Sequence, residues 1–113
     1  MPHLVTAIVK PYKIDGVKEA LQGAGVQGMT ITEVKGFGRQ RGQTETYRGA
    51  EYQVEFVPKV KVEVLCATED ADKIMATIAE AARTDKIGDG KIWVTAVDRA
   101  LRIRTGEMGD DAV

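Results

Sequence analysis

Residues 36–58, GFGRQRGQTETYRGAEYQVEFVP, lie between two segments that both have the composition of β-strands. The stretch holds four of the chain's 12 glycines and two of its tyrosines, and it has little apolar content before Val54. A hairpin turn usually takes about two to five residues, and a loop beyond about 12–15 residues inside a compact domain is usually functional or disordered. We therefore predict a long loop, residues 37–56, between the second and third strands, and we expect the rest of the chain to support it.

The segments outside this loop predict four strands. Threonine and isoleucine alternate in residues 29–35, and every second residue of 59–66 is apolar, which is the period of a strand with one buried face. Residues 4–9, LVTAIV, are almost wholly apolar and predict a central strand that is buried on both faces. Residues 91–97, KIWVTAV, predict the fourth strand. Cys66 belongs to the apolar face of 59–66, so we expect a buried thiol.

Apolar residues at helical spacing predict two helices. The first helix follows Lys10-Pro11, with Asp15 expected at its N-cap and Gly25 at its C-terminal end. Thr68 is expected to cap the second helix, which should bury one apolar stripe. That stripe consists of Ala71, Ile74, Met75, Ile78, Ala79 and Ala82.

The order β-α-β-β-α-β predicts an α+β, ferredoxin-like fold with both helices on one face of a four-stranded antiparallel sheet. With 113 residues, the chain is long enough for one domain, residues 1–113. A short strand-like run at 101–104 follows the fourth strand, and the tail 106–113, with two glycines and three acids, is expected to be mobile. The fold alone does not define a function, because it hosts many unrelated ones.

Composition excludes several classes of protein. The net charge of −1 and the absence of a basic surplus argue against direct nucleic-acid binding, and so does the aromatic content of 5%. A single cysteine fits a reducing cytoplasm, and no apolar run is long enough to span a membrane. His3 is the only histidine, so a histidine-based metal site or catalytic triad is not expected.

Residues 23–28, GAGVQG, match the G-x-G-x-x-G dinucleotide pattern. That motif binds phosphate only when it follows a strand and begins a helix, where free N–H groups meet the ligand. This copy is predicted to follow a helix and to precede a strand. We interpret it as a helix end and a turn.

Three clusters could bind an anion. The loop base 36–42, GFGRQRG, combines glycines with two arginines, although on pattern alone a flexible, solvated loop is the favoured interpretation. Residues 86–91, KIGDGK, could form an anion-binding nest or a plain tight turn. Arg102 and Arg104 would project from one face of an extended chain, which suits a di- or triphosphate, or they could be ordinary surface charges. No nucleophile or positioned general base accompanies them, so binding is indicated more strongly than a weak ATPase or phosphotransferase activity.

Two segments, YRGAEY at 47–52 and TDKIGDGKIWV at 84–94, closely resemble the two signature segments of the nitrogen-regulatory PII signal-transduction proteins. The resemblance covers nearly the whole chain without large gaps, and two long motifs in the same order make it highly specific. It also includes Lys10-Pro11, Gly28-Met29-Thr30, Lys35 to Gly42, Phe56 to Val60 and Arg102 to Gly106.

The resemblance implies a homotrimer, not an enzyme, that binds ATP or ADP in clefts between subunits. Thr30 and Glu63 would lie near the base and sugar, and Arg102 and Arg104 would reach the phosphates from the neighbouring subunit. The implied nucleotide-binding residues are Thr30, Gly36, Gly38, Arg39, Gln40, Glu63, Gly88, Asp89, Gly90, Lys91, Arg102 and Arg104.

With Mg-ATP present, members of this family also bind 2-oxoglutarate as an effector. The resemblance implies that the side-chain oxygen of Gln40 coordinates Mg²⁺ and that 2-oxoglutarate completes the coordination. Lys59 would pair with a 2-oxoglutarate carboxylate. The implied 2-oxoglutarate-binding residues are Gln40, Arg41, Gly42, Lys59 and Gly88.

The long loop, called the T-loop in this family, is implied to be the output surface. Tyr52 corresponds to a tyrosine that is uridylylated in many members and adenylylated in others, whereas the residues alone do not separate it from Tyr47. The implied partners are an ammonium transporter, a uridylyl- or adenylyltransferase, and nitrogen-metabolism enzymes or regulators. The implied location is the cytoplasm, with recruitment to the membrane through a transporter.

Asp85 is a departure from the family pattern, which usually has glycine at this turn. Aspartate tolerates the left-handed backbone better than most non-glycine residues. It also adds a carboxylate close to the implied phosphate site, which is expected to weaken nucleotide binding.

Overall fold

The computed structural model describes residues 1–38, 45–47, 50–52 and 56–113 of the chain. These residues form six strands and two α-helices. The elements are β1 (His3–Val9), α1 (Ile14–Gly23), β2 (Thr30–Gly36), β3 (Glu45–Tyr47), β4 (Ala50–Tyr52), β5 (Val57–Cys66), α2 (Ala71–Ala82) and β6 (Lys91–Ala96). Short 3₁₀ turns lie at Pro11–Lys13, Thr68–Asp70 and Gly109–Ala112.

Four strands form one antiparallel sheet in the order β2-β5-β1-β6. Each helix connects two strands of this sheet, so the predicted α+β, ferredoxin-like arrangement is confirmed. β1 pairs with β5 on one side and with β6 on the other, as expected for a central strand. β3 and β4 form a separate hairpin inside the predicted loop, with Glu45 opposite Tyr52.

The hydrophobic core lies between the sheet and the two helices. Its buried members are Val5, Ala7, Val9, Val17, Leu21, Val60, Val62, Val64, Cys66, Ala71, Ile74, Ile78 and Ala82. Cys66 is buried, as its position on the apolar face of β5 predicts. On the opposite face, Thr6 is also buried, but its neighbour in register, Trp93, remains 45% exposed. That face therefore leaves a large aromatic side chain partly open.

Helix α1 ends in a Schellman motif. Val26 N–H donates to the Leu21 carbonyl and Gly25 N–H donates to the Gln22 carbonyl, which satisfies the last carbonyl groups of the helix. Gly25 has φ of +93°, a conformation that glycine adopts without the steric cost that other residues meet. The predicted role of Gly25 is confirmed, and residues 23–28 do follow a helix and precede a strand.

Both predicted N-caps are wrong, because a 3₁₀ turn precedes each helix. The chain is already helical at Pro11–Lys13, so Asp15 lies inside the first turn of α1, where its charge suits the positive helix end. Thr68 lies in the turn before α2, and its hydroxyl instead contacts the Met1 carbonyl and His3 Nδ1. Neither side chain makes a cap hydrogen bond.

Two further predictions need correction. Ala79 is exposed, because it lies beside rather than on the buried face of α2 that contains Ile74 and Ile78. Residues 101–104 do not form a strand: Leu101 makes one isolated bridge to Met108, and residues 103–105 turn the chain back.

The tail is described up to Val113. Its 3₁₀ turn follows Met108, and Asp110 lies 3.4 Å from the N-terminal amine of Met1. These contacts connect the two ends of the chain, while the mobility expected of the tail stays a prediction. Within the ranges that the structure describes, no helix combines the length and apolarity needed to cross a membrane.

The segment before β6 lies directly against the end of β1 at Gly90. Gly90 has φ of +101°, and a β-carbon added there would lie 1.7 Å from the Ile8 carbonyl oxygen. Both the backbone conformation and the available space therefore require glycine.

We expect Gly90→Ala to lower the free energy of unfolding by about 2 kcal/mol or more, because strain and overpacking add at this site. Gly16→Ala is the matched control: a β-carbon at this position in α1 meets no atom within 4 Å. This control should raise the stability by about 0.5–1 kcal/mol. Urea unfolding followed by circular dichroism measures both, and equal stabilities would contradict the close approach.

Candidate functional site

A cavity of about 610 Å³ opens where the long loop leaves the sheet. Four parts of the chain surround it: the end of β1, the end of β2, the start of β5, and the segment that leads into β6. Its lining residues are Ile8, Gly36, Phe37, Gly38, Lys59, Lys86, Ile87, Gly88, Asp89, Gly90, Lys91 and Trp93. The structure thus brings together Gly36, Gly38, Lys59 and residues 88–91, which the resemblance had implied for nucleotide or 2-oxoglutarate.

The base of the loop is marked by two aromatic rings. Phe37 and Phe56 stand edge to face with their centroids 6.5 Å apart, and Gly36 lies opposite Val57 in the register of β2 and β5. An edge-to-face pair of this kind is a favourable aromatic geometry. It holds the two ends of the loop next to each other beside the cavity.

The segment 84–91, which we call the phosphate segment because the resemblance implies phosphate binding there, is organised by the carboxylate of Asp89. The backbone N–H groups of Thr84 and Asp85 donate to Asp89 Oδ2 at 2.8 and 2.9 Å, and the Thr84 hydroxyl donates to Oδ1. Lys10 Nζ lies 3.3 Å from Oδ1. These contacts, led by the hydrogen bonds from Thr84, hold the pKa of the Asp89 carboxyl well below its usual range.

This arrangement refines the role expected of Asp89. A carboxylate repels phosphate, and here both of its oxygens are occupied by donors from its own chain. Any contact of Asp89 with a phosphate would therefore come from its backbone N–H. Gly88 and Gly90, on either side of Asp89, have φ of +97° and +101°, a conformation that glycine adopts more easily than other residues.

Lys59 places a buried cation at the edge of the cavity. Its residue is only 8% exposed, and Nζ donates to the Gly88 carbonyl at 2.6 Å. Burial, together with the charge of Lys10, lowers the pKa of the Lys59 ammonium, while Asp89 opposes this effect. Lys59 therefore connects β5 directly to the phosphate segment.

Thr30 and Glu63 lie away from this cavity. They face each other across β2 and β5 and line a second cavity of about 700 Å³, which also includes residues 24–29 and the C-terminal Val113. Thr30 begins β2 and Gly36 ends it, so the two sets of expected nucleotide-binding residues are about 20 Å apart along the strand. One chain does not bring them together.

Arg102 and Arg104 also lie outside both cavities. The Arg102 guanidinium donates to Glu107 Oε1 at 3.0 Å and to the Val113 carbonyl at 2.8 Å. The backbone turns at residues 103–105, so the two arginines do not share the face of an extended strand. Sequence periodicity misses this turn, because Gly106, with φ of +75°, decides it.

Asp85 has the positive φ expected at this position, 65°. Its carboxylate lies 2.5 Å from Arg83 Nε, and both side chains are 71% exposed. The side chain does not line the cavity. The arginine neighbour offsets the negative charge that the departure from glycine introduces.

Four implied site residues, Arg39, Gln40, Arg41 and Gly42, lie outside the described residues. The side chain of Tyr52 also lies outside them, although its backbone belongs to β4. Lys10 and Thr84, both of which contact Asp89, are not among the site residues expected from the sequence. Because 74 positions separate Lys10 from Thr84, no local pattern could have connected them.

Comparison with known proteins establishes the family. The family model described as "Nitrogen regulatory protein P-II" matches residues 2–107. Proteins of that name from Cereibacter sphaeroides and Rhodobacter capsulatus are each 62% identical over 109 residues, which cover 96% of this chain and 97% of the relative. The protein of that name from Rhizobium meliloti is 61% identical over the same shares.

The chain belongs to the nitrogen regulatory protein P-II family. The family predicted from the two signature segments is thus confirmed, and with it a role in nitrogen signal transduction. Its members are regulatory proteins and not enzymes, and the family name implies that they act through partner proteins.

The low pKa of Asp89 predicts a pH-dependent contribution to stability. Because the folded pKa is lower than the ordinary value of about 3.9, the contribution is complete above that value and is lost as the pH falls below it. Asp89→Asn should therefore be less stable than the wild type near neutral pH, and the difference should shrink below about pH 3.9. Urea unfolding over a pH series measures this.

Asp98→Asn serves as the control for this series. The carboxylate of Asp98 is 87% exposed, and its ion pair with Arg99 is a long surface contact of 3.7 Å. The stability of this variant should follow the wild type throughout. A difference for Asp89→Asn that stays constant down to about pH 2.5 would show that the ionised carboxylate is not what stabilises the segment.

Proposed function

We propose that this chain senses ATP or ADP together with 2-oxoglutarate and controls partner proteins through the loop 37–56. The observation that carries the proposal is the cavity at the base of that loop. It combines a glycine-rich turn at 88–90 with Lys59, Lys86 and Lys91. Exposed backbone N–H groups and lysine ammonium groups are the donors that a polyphosphate needs.

Lys59 supports the 2-oxoglutarate part of the proposal. An ammonium group has three donors, and the Gly88 carbonyl takes one of them at 2.6 Å. The remaining two can bind a carboxylate of the effector. Burial makes such a pair stronger than it would be at the surface, because the local dielectric constant is low.

The magnesium ion in this proposal arrives with the nucleotide. Mg²⁺ in proteins is commonly held by substrate phosphates, water and one or two protein oxygens. Among the described residues, no group of three or more histidine, cysteine, aspartate or glutamate side chains could hold a metal. A site in which phosphates supply most ligands and Gln40 supplies one oxygen is compatible with these residues.

The separation of the implied nucleotide-binding residues supports a site between subunits. Thr30 and Glu63 line one cavity, while Gly36 and the phosphate segment line the other. A second copy that brings its Thr30 end to the first copy's phosphate segment would complete the site. The partly open sheet face around Trp93 gives such a homotrimer an apolar surface to bury.

The C-terminal arginines fit the same arrangement. Arg102 is held by Glu107 and by the Val113 carbonyl, both of which a phosphate of a neighbouring subunit's nucleotide could replace. Phosphate carries more charge than either group. We propose that nucleotide binding exchanges these intrachain contacts for contacts across the subunit boundary.

The output of the sensor is proposed to be the loop itself. Ligands would shift the populations of its conformations and so decide which partner binds. The proposed partners are an ammonium transporter, a nucleotidyltransferase, and nitrogen-metabolism enzymes or regulators. The cytoplasmic location inferred from the single cysteine belongs to this proposal as well.

Titration calorimetry of 2-oxoglutarate into the purified protein tests the proposal. We expect binding with Mg-ATP but not with Mg-ADP or without nucleotide, and reciprocal tightening of ATP by 2-oxoglutarate. Gln40→Ala and Lys59→Met should each abolish the 2-oxoglutarate signal. Native mass spectrometry of the same sample should give three copies.

Each contrary result identifies the failing part. ATP binding without any response to 2-oxoglutarate would leave an adenylate sensor. Unchanged 2-oxoglutarate binding in Gln40→Ala would refute the metal bridge. If the wild type binds no nucleotide and Asp85→Gly does, the Asp85 carboxylate is what prevents binding.

Covalent control of the loop is proposed at Tyr52. A nucleotidyl group there adds bulk and negative charge, which would block docking into a partner. After incubation with a P-II uridylyl- or adenylyltransferase and UTP or ATP, peptide mass spectrometry should find the adduct on Tyr52. Tyr52→Phe should prevent it and Tyr47→Phe should not, and the opposite pattern would reassign the site.

A further inference from the structure

We propose that Lys10 is a positioning residue for the phosphate segment, residues 84–91, although it does not line the cavity. The inference rests on the proposed nucleotide binding at that segment. It assigns to Lys10 the task of holding Asp89, so that the backbone of Gly88, Asp89 and Gly90 presents its donors to phosphate. Lys10 would act from behind the segment, without touching the nucleotide.

The contacts of Lys10 are specific and partly buried. Nζ lies 3.3 Å from Asp89 Oδ1 and donates to Thr84 Oγ1 at 3.2 Å. The Lys10 side chain is 12% exposed, compared with 25% for Asp89. A pair with this much burial is screened less by salt than a surface pair.

Thr84 joins Lys10 to two other residues of the segment, Lys86 and Asp89. Its hydroxyl donates to Asp89 Oδ1 and accepts from Lys10 Nζ and from the Lys86 N–H. A hydroxyl has one donor and two acceptor positions, so every one of them is used. The loss of the Lys10 ammonium would leave this network one donor short.

The position of Lys10 in the chain explains why it can do this. It follows β1 directly, and two residues earlier the Ile8 carbonyl lies against Gly90. The end of the central strand therefore contacts the segment twice, through backbone at Gly90 and through a side chain at Asp89. The two contacts together fix both the distance and the orientation of the segment.

The charge of Lys10 has a second consequence for phosphate. Without a cation behind it, the Asp89 carboxylate would stand next to an incoming polyphosphate and repel it. Lys10 compensates that charge from the side away from the cavity, which leaves Lys59, Lys86 and Lys91 for the ligand. The position of Lys10 and its charge therefore both favour phosphate binding at the segment.

The test compares Lys10→Met, Lys10→Arg and Thr84→Val with the wild type. Lys18→Met is the matched control, because Lys18 is an exposed residue of α1 that does not line either cavity. Calorimetry with ATP and with AMP gives the affinity, and hydrogen exchange gives the protection of the amides of 84–91 in the free protein. Circular dichroism with urea checks the global stability of each variant.

We expect Lys10→Met to weaken ATP binding about tenfold or more, the size of one lost charge-assisted hydrogen bond, with a smaller loss for AMP. Exchange should become faster at 84–91 and stay unchanged in α1. Lys10→Arg should recover much of the ATP affinity, and Lys18→Met should equal the wild type. Thr84→Val should repeat the effect of Lys10→Met, and it serves in its place if Lys10→Met does not fold.

Unchanged ATP affinity or unchanged exchange at 84–91 in Lys10→Met would overturn the inference. An equal loss for ATP and AMP would also overturn it, since this would be a general rather than a phosphate-specific effect. If the wild type binds no ATP, the proposed function fails by itself. The exchange measurement then still decides whether Lys10 holds the segment.

Discussion

The contact between the end of β1 and the phosphate segment is the constraint on which the rest of the site depends. Gly90 lies so close to the Ile8 carbonyl that no side chain fits between them. Lys10, two residues after Ile8, pairs with Asp89. β1 is one of the two inner strands of the sheet and pairs on both sides. The segment that faces the cavity is therefore tied to a strand that is hydrogen-bonded on both edges.

The two cations near Asp89 have different tasks. Lys10 contacts the carboxylate from behind, whereas Lys59 reaches across from β5 to the Gly88 carbonyl. Burial and the mutual repulsion of the two ammonium groups lower the pKa of Lys59, and the Asp89 charge partly restores it. One carboxylate thus allows two lysines to lie close together near the cavity.

The long loop begins and ends on β2 and β5, which belong to the same sheet as β1. β2 and β5 pair up to Gly36 and Val57, and the rings of Phe37 and Phe56 meet directly above. A ligand in the cavity would contact residues 36–38 on one side and the phosphate segment on the other. The physical route from ligand to loop is therefore short, because the cavity wall is also the loop base.

The order of strands and helices, the buried face of β5, the Gly25 helix end and the family could all be predicted from the sequence, because periodicity, glycine positions and motifs are local signals. The two N-caps depend on which atoms satisfy the backbone groups at the helix ends, and the exposure of Ala79 depends on which face of α2 packs against the sheet. The turn after Arg102 uses the positive φ of Gly106, which strand periodicity does not reveal. These three features became visible only in the folded chain. The same holds for the site. Its glycines and lysines are visible in the motifs, but the role of Lys10 requires β1 and residues 84–89, far apart in sequence, to meet in space.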